Sequence, residues 1–337
     1  MVIGIVGLGL IGGSIALRLS EKYTVIGVEP CAETAAYALE HKIVSRVTDY
    51  AGLTGCDVVF VCAPIERTPD CMRRVYDAVG DRAIITDVAS VKGILPALPG
   101  ARVIGGHPMA GTEFSGIRAA KAHLFENAYY VLIRADETPA DWETVAGLVR
   151  DLGAKPVAMT VQEHDRQVAE VSHMPHIVAY ALAATPSDVT IAGTGFYDMT
   201  RIAHSDPQFW CSVIRRNKEN TLQAVERVRA RLDAMTDALT NDDGDVLQKL
   251  FAEGQAGRIR LEEDRPNLEE YVLSADIRDE VGALKSIGDL LASENINVCN
   301  LQIVHSREGE GGVLRLGFRT RGDCSRAAVL LKERGYL

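Results

Sequence analysis

Apolar and polar positions divide this chain into three regions. Residues 2–6, VIGIV, are wholly apolar, as in a strand buried on both faces. SIALRLS follows with helical spacing. YTVIGVE reads as a strand, ETAAYALEHK as a helix, and DVVFVCAP and AIITDVA as two more apolar strands. NAYYVLIRA and DWETVAGLVRDLG add a further strand and helix. This alternation predicts a parallel sheet with helices on both faces. From about residue 160 to 262 the spacing is almost entirely helical. Around EEDRPNLEE the chain turns charged, contains a proline and loses its helical period, which predicts a linker. The remainder reads strand (YVLSADI), helix (DEVGALKSIGDLLASEN), strand (INVCNLQIVHS), strand (GGVLRLGFRT), helix (DCSRAAVLLKERG). That is a split βαβ layout with its helices on one sheet face.

The first strand runs directly into Gly7-Leu8-Gly9-Leu10-Ile11-Gly12, ahead of a helix. A lone GxGxxG is weak, because glycines also mark ordinary turns, but the strand–turn–helix context is the one a dinucleotide fingerprint requires. Gly7 permits the tight turn, Gly9 lets a pyrophosphate approach, and Gly12 lets helix and strand pack closely. Glu29 ends the second strand, seventeen residues after Gly12. A carboxylate there suits both hydroxyls of an adenosine ribose and repels a 2′-phosphate, which favours NAD over NADP. The loop after the third apolar strand adds Ala63 and Pro64 as candidate cofactor contacts. The expected fold is an α/β Rossmann-like dinucleotide-binding domain over 1–157, an all-α substrate and dimerisation domain over 158–264, and a small α+β, ferredoxin-like domain over 270–337.

Composition narrows the function classes. At 337 residues, 47% hydrophobic and 24% charged, the chain has material for two or three cores. Its formal charge of −10 argues against nucleic acid or an anionic membrane as partner, so an anionic substrate needs locally placed arginines or histidines. The seven cysteines form no CxxC pair, which suits a reducing, cytoplasmic setting better than a disulfide framework or structural zinc. The first seventeen residues carry no charge, but they lack a basic start and five glycines interrupt them, so they read as strand and turn rather than signal peptide.

Three further stretches carry chemistry. GGHPMAGTEFSG, residues 105–116, reads as the end of a strand and a turn, with His107 at the start of that turn. In the helical region, His173 and His176 are three apart and share a face, with Pro175 set to kink the helix between them. As metal ligands the pair would draw on Asp165 or Glu170; as core histidines it needs only local partners; as an anion-binding surface it suits a carboxylated substrate. TGFYDMTRIAHSDPQFW ends in Asp206-Pro207, a helix start with Asp as N-cap. Upstream, Asp198 and Arg201 are spaced as helix neighbours, either a surface ion pair of little consequence or an oriented guanidinium fork for a carboxylate.

Together, GLGLIGGS, DVASVK, HPMAGTEFSG, SHMPH and TRIAHSDP resemble, in order and spacing, the prephenate dehydrogenases of tyrosine biosynthesis, over roughly residues 1–262. The resemblance implies NAD-dependent oxidative decarboxylation of prephenate to 4-hydroxyphenylpyruvate by a homodimer joined through its helical domain. It implies His107 as the group that accepts the ring hydroxyl's proton, Ser90 as a hydrogen-bond partner of the same hydroxyl, and Arg201 and His176 as carboxylate binders. It also implies His173 as their neighbour and Thr112 and Glu113 as lining residues. DEVGAL followed by NINVCNL resembles an ACT domain, with Val281 where that motif commonly has proline, and implies tyrosine as a candidate effector. Arogenate dehydrogenase or a dual-specificity cyclohexadienyl enzyme fits the same motifs. A β-hydroxyacid dehydrogenase using Lys218 leaves HPMAGTE and SHMPH unexplained. A non-catalytic NAD or amino-acid sensor predicts loss of His107, Ser90 or Arg201, and all three are present.

Overall fold

The computed structural model describes residues 1–112, 114–134, 138–263, 271–278, 280–307 and 311–337, in two compact units, Met1–Arg231 and Leu232–Leu337. In the first unit, β1 (Val2–Val6), α1 (Leu10–Leu19), β2 (Thr24–Val28), α2 (Ala32–Glu40), β3 (Arg46–Val47), β4 (Val58–Val61), α3 (Thr68–Val79), β5 (Ile84–Asp87) and β6 (Arg102–Ile104) follow in chain order. All six strands run parallel, in the order β3-β2-β1-β4-β5-β6. Their apolar runs are explained by burial on both faces. Ile3, Ile5 and Phe60 pack with Ile15 and Leu19 of α1, while Val59, Val61 and Ile85 pack with Met72, Val75 and Val79 of α3. The strand order reverses between β1 and β4, which opens a crevice beyond their carboxyl ends, where ligands of such sheets bind.

A second sheet joins β7 (Gly106–Pro108), β8 (Tyr129–Ile133) and β9 (Lys155–Met159), with α4 (Pro139–Asp151) between the last two. Here the structure corrects the sequence reading. His107 lies not in a turn but within β7, paired antiparallel with Val131. The glycines before it mark a close approach instead of a turn. A Cβ on Gly106 would lie 2.6 Å from the Asp87 carbonyl oxygen, so only glycine lets this strand pass the end of β5.

The helical region comprises α5 (Val161–Val168), a π-helical turn (Ala169–His173), α6 (Met174–Ala184), α7 (Thr194–Thr200), α8 (Pro207–Arg216) and α9 (Lys218–Thr240). Pro175 has no N–H to give the preceding turn, and the helix widens there rather than breaking. Asp206 caps α8 as expected, its carboxylate accepting from the Gln208 N–H at 2.9 Å.

The second unit holds α10 (Gly244–Glu263), β10 (Tyr271–Ile277), α11 (Ala283–Ser293), β11 (Asn300–Arg307), β12 (Gly311–Phe318) and α12 (Arg321–Glu333). The three strands are antiparallel in the order β10-β12-β11, and Ile287, Leu291, Ala327 and Leu331 of its two last helices pack against Ala275, Leu314, Leu316 and Phe318. This is the split βαβ layout read from the sequence. Among the described residues no helix is long and apolar enough to cross a membrane.

Candidate active site

At the crevice, the glycines do what the fingerprint demands. Gly7 has φ +91°, and a Cβ on Gly12 would sit 2.0 Å from the Gly7 carbonyl oxygen. Nothing lies within 4 Å of a Cβ built on Gly9, which leaves room for a ligand where α1 begins with Leu10 and Ile11. Glu29 is held beside this turn, its carboxylate accepting from the Leu8 N–H at 2.8 Å and the Cys31 N–H at 2.9 Å. Opposite, a Cβ on Gly7 would meet the Cys62 carbonyl oxygen at 2.8 Å, so the loop leading to Ala63 and Pro64 forms the facing wall. These residues fit a dinucleotide: open helix N–H groups for the pyrophosphate and a fixed carboxylate for the ribose.

His107 lies behind this crevice, buried, with its Nδ1 2.8 Å from Nε2 of His164. His164 Nδ1 is in turn 2.8 Å from Asp165 Oδ1. Asp165 also accepts the backbone N–H groups of Lys92 and Gly93, both at 2.7 Å. Lys92, fully buried, donates to Asp87 at 2.5 Å and to the Gly106 carbonyl. Burial first, and then the electrostatic influence of the neighbouring His164, Lys92 and His173, push the His107 imidazole well below its ordinary range. Burial likewise lowers Lys92, with Asp87 opposing it. Asp165 feels burial first, yet the His164 ring and the two backbone donors hold its carboxyl below the usual range.

The helical elements close on the same place. Val213 of α8 packs against Ala89 and Val91, the neighbours of half-buried Ser90, and Trp210 joins that cluster. His176 stacks on Trp210 with ring centroids 3.4 Å apart, and His173 meets it edge-on at 6.2 Å. His176 Nδ1 donates to the Ser172 carbonyl at 2.9 Å, which leaves its Nε2 for a ligand. Asn217 donates to the Asp165 carbonyl at 2.6 Å and to His173 Nδ1 at 3.3 Å. Burial brings His173 down to about 4 and lowers His176 as well.

Not every expected residue joins this cluster. Arg201 is exposed, lining a cavity of about 490 Å³ with Ala183, Tyr197, Asp198, Thr200, Ala203 and His204, a lining that includes neither His107 nor His176. Neither the surface ion pair nor an aspartate-oriented fork forms between Asp198 and Arg201: the two share the cavity wall without a hydrogen bond or salt bridge between them. α7 ends at Thr200 and Arg201 opens a 3-10 turn, and two exposed charges at this spacing gain little by pairing. Ala183 and His176 both lie on α6, roughly 10 Å apart at 1.5 Å per residue. Thr112 is exposed and accepts from the Phe114 N–H at 3.3 Å; Glu113 lies outside the described residues. Asp165 and Glu170, weighed as metal ligands, have other partners, His164 and Arg227.

Sequence reasoning missed His164, the Asp87–Lys92 pair, Asn217 and Trp210. A signal existed for one of them. His164 follows the Thr160/Glu163 capping box of α5, and that cap fixes which way the first helical turn points.

A parallel sheet reversing at a glycine cradle, backed by a buried imidazole and closed by a helical domain, defines a dinucleotide-dependent dehydrogenase. Comparison narrows the class. Residues 14–158 match the family description "Prephenate dehydrogenase, nucleotide-binding domain" and residues 160–253 match "Prephenate dehydrogenase, dimerization domain". Prephenate dehydrogenase of Bacillus subtilis (strain 168) is 31% identical, with 97% of this chain and 95% of that protein covered. Synechocystis arogenate dehydrogenase superposes with a TM-score of 0.70 at 32% identity, covering 77% of this chain and all of that one. The Aquifex aeolicus prephenate dehydrogenase in complex with hydroxyphenyl propionate and NAD+ gives 0.70 at 28% identity, covering 77% and 98%. The chain belongs to the prephenate dehydrogenase family.

Proposed function

We propose that this chain catalyses the NAD-dependent oxidative decarboxylation of prephenate to 4-hydroxyphenylpyruvate. NAD, bound in the glycine cradle, supplies the hydride acceptor. His107 takes the proton of the ring hydroxyl, and Ser90 hydrogen-bonds the same oxygen. His176, its ring fixed by Trp210 and Ser172, and Arg201 receive the substrate carboxylates, with His173 bracing His176 through Trp210. Loss of carbon dioxide is driven by aromatisation, so the protein contributes placement and charge complementarity. A positioned base of this kind contributes about 10²–10⁴ in rate.

The observation that carries this reading is the buried His107 imidazole, kept in the neutral, proton-accepting form at the join of the two family-matched regions. Its test is NADH formation from NAD and prephenate, with chromatographic identification of 4-hydroxyphenylpyruvate. Absence of both products from folded protein would remove the proposal. Arogenate is the second reading, favoured by the likeness to the Synechocystis enzyme. The ratio of kcat/KM on the two substrates separates them.

The same reading gives domains over 1–157, 158–264 and 270–337, a homodimer through the helical domain, and a cytoplasmic setting. The tail is proposed as an ACT-like sensor of tyrosine. A thermal shift with tyrosine that is lost on truncation at residue 265 supports this; no shift at millimolar tyrosine counts against it.

A further inference from the structure

We infer that His164 and Asp165 are positioning residues that set the tautomer of His107 and take over the charge it acquires. This rests on the reading of His107 as the base. Asp165 fixes the pattern of protons along the three side chains. Its Oδ1 accepts from the Lys92 N–H and its Oδ2 from the Gly93 N–H, so neither oxygen has reason to carry a proton. The ring nitrogen of His164 facing it, Nδ1, must therefore be the donor. A neutral imidazole carries one N–H, which leaves His164 Nε2 with a lone pair. The group facing that lone pair is His107 Nδ1, and it donates. His107 Nε2 is then unprotonated, the state that a base needs.

The same chain of contacts can move the charge. As the substrate hydroxyl gives its proton to His107 Nε2, the Nδ1 proton of His107 crosses 2.8 Å to His164 Nε2. No electrons transfer in this step. One O–H and one N–H bond break and two N–H bonds form. The positive charge ends on His164, against the Asp165 carboxylate, instead of on His107 beside Lys92. After product leaves, the Nδ1 proton returns and Nε2 releases its own to solvent.

The arrangement is more specific than core packing requires. A Cβ on Gly93 would already be 3.0 Å from Asp165 Oδ2, and Asn217 pins the Asp165 backbone from α8's end at 2.6 Å. The chain also crosses the join between the two family-matched regions, since His107 falls within 14–158 and His164, Asp165 and Asn217 within 160–253. Base and relay thus come from different regions, so docking the helical region is what sets the base's tautomer.

The test pairs a spectroscopic reading with kinetics. In ¹⁵N-histidine-labelled full-length protein near pH 7, long-range ¹H–¹⁵N spectra should show His107 and His164 each protonated at Nδ1 and bare at Nε2. His164→Gln keeps an acceptor for His107 Nδ1 but cannot take its proton. It should lower kcat by about tenfold to a hundredfold with KM within about twofold. A His107 protonated at Nε2 instead would overturn the inference, whatever the variant does. So would unchanged kcat in His164→Gln while His107→Asn is inactive, a result that leaves the base reading standing. Full turnover in both variants would remove base and relay together.

Discussion

Lys92 donates its ammonium to the carbonyl of Gly106, the residue just before His107. The same ammonium is paired with Asp87, both side chains wholly buried, and Asp87 also accepts from the Gly106 N–H at 3.0 Å. One buried ion pair therefore ties the loop carrying Ser90 to the strand carrying His107. Such a pair adds little net stability, because desolvation offsets the attraction, but removing one partner strands the other charge.

Lys92→Met should consequently be strongly destabilising, by about 3–5 kcal/mol. Denaturant unfolding checks it. A loss under about 1 kcal/mol would mean that Asp87 finds other partners.

His107 is held below its ordinary range by burial and by neighbouring positive charge, so it stays neutral at pH 7 and becomes protonated only in more acid solution. As the base it must be neutral, so kcat/KM should be flat through neutrality and fall with acid only below the ordinary histidine value of 6.5. An acid limb at or above that value contradicts the assignment.

His173 gives a stability signature. The unfolded chain takes a proton near 6.5, whereas the native state refuses it until about 4. Its contribution, up to roughly 3 kcal/mol, is complete above pH 6.5 and lost as pH falls toward 4. His173→Gln should flatten that part of the stability–pH curve; an unchanged slope would assign it elsewhere.

Arg201 is exposed on the cavity wall and unpaired with Asp198, which leaves its fork open for a carboxylate. Arg201→Gln should raise KM for prephenate about tenfold or more with a smaller change in kcat. An unchanged KM would take Arg201 out of binding.

What the sequence made legible follows from the period of the interactions. The parallel sheet was readable because strands buried on both faces must be apolar throughout, Gly7 and Gly12 because a positive φ and a close approach within one turn require glycine, and Gly9 because it falls between them at the motif's spacing. Asp206 was readable as a cap for the same local reason. His164 was not: the capping box before it fixes only the direction of the first turn of α5, and its partner His107 is 57 residues away. The glycines at 105 and 106 misled because close approach and turn formation both call for the smallest side chain. Asp198 and Arg201 stay unpaired at helix spacing because both are solvated and an exposed pair gains little.

The most direct test is steady-state turnover of His107→Asn with prephenate and saturating NAD. A base in contact with the hydroxyl should show kcat reduced by about 10²–10⁴ with KM little changed. Turnover equal to that of the unmodified protein would contradict the assignment of His107 and, with it, the proposed chemistry.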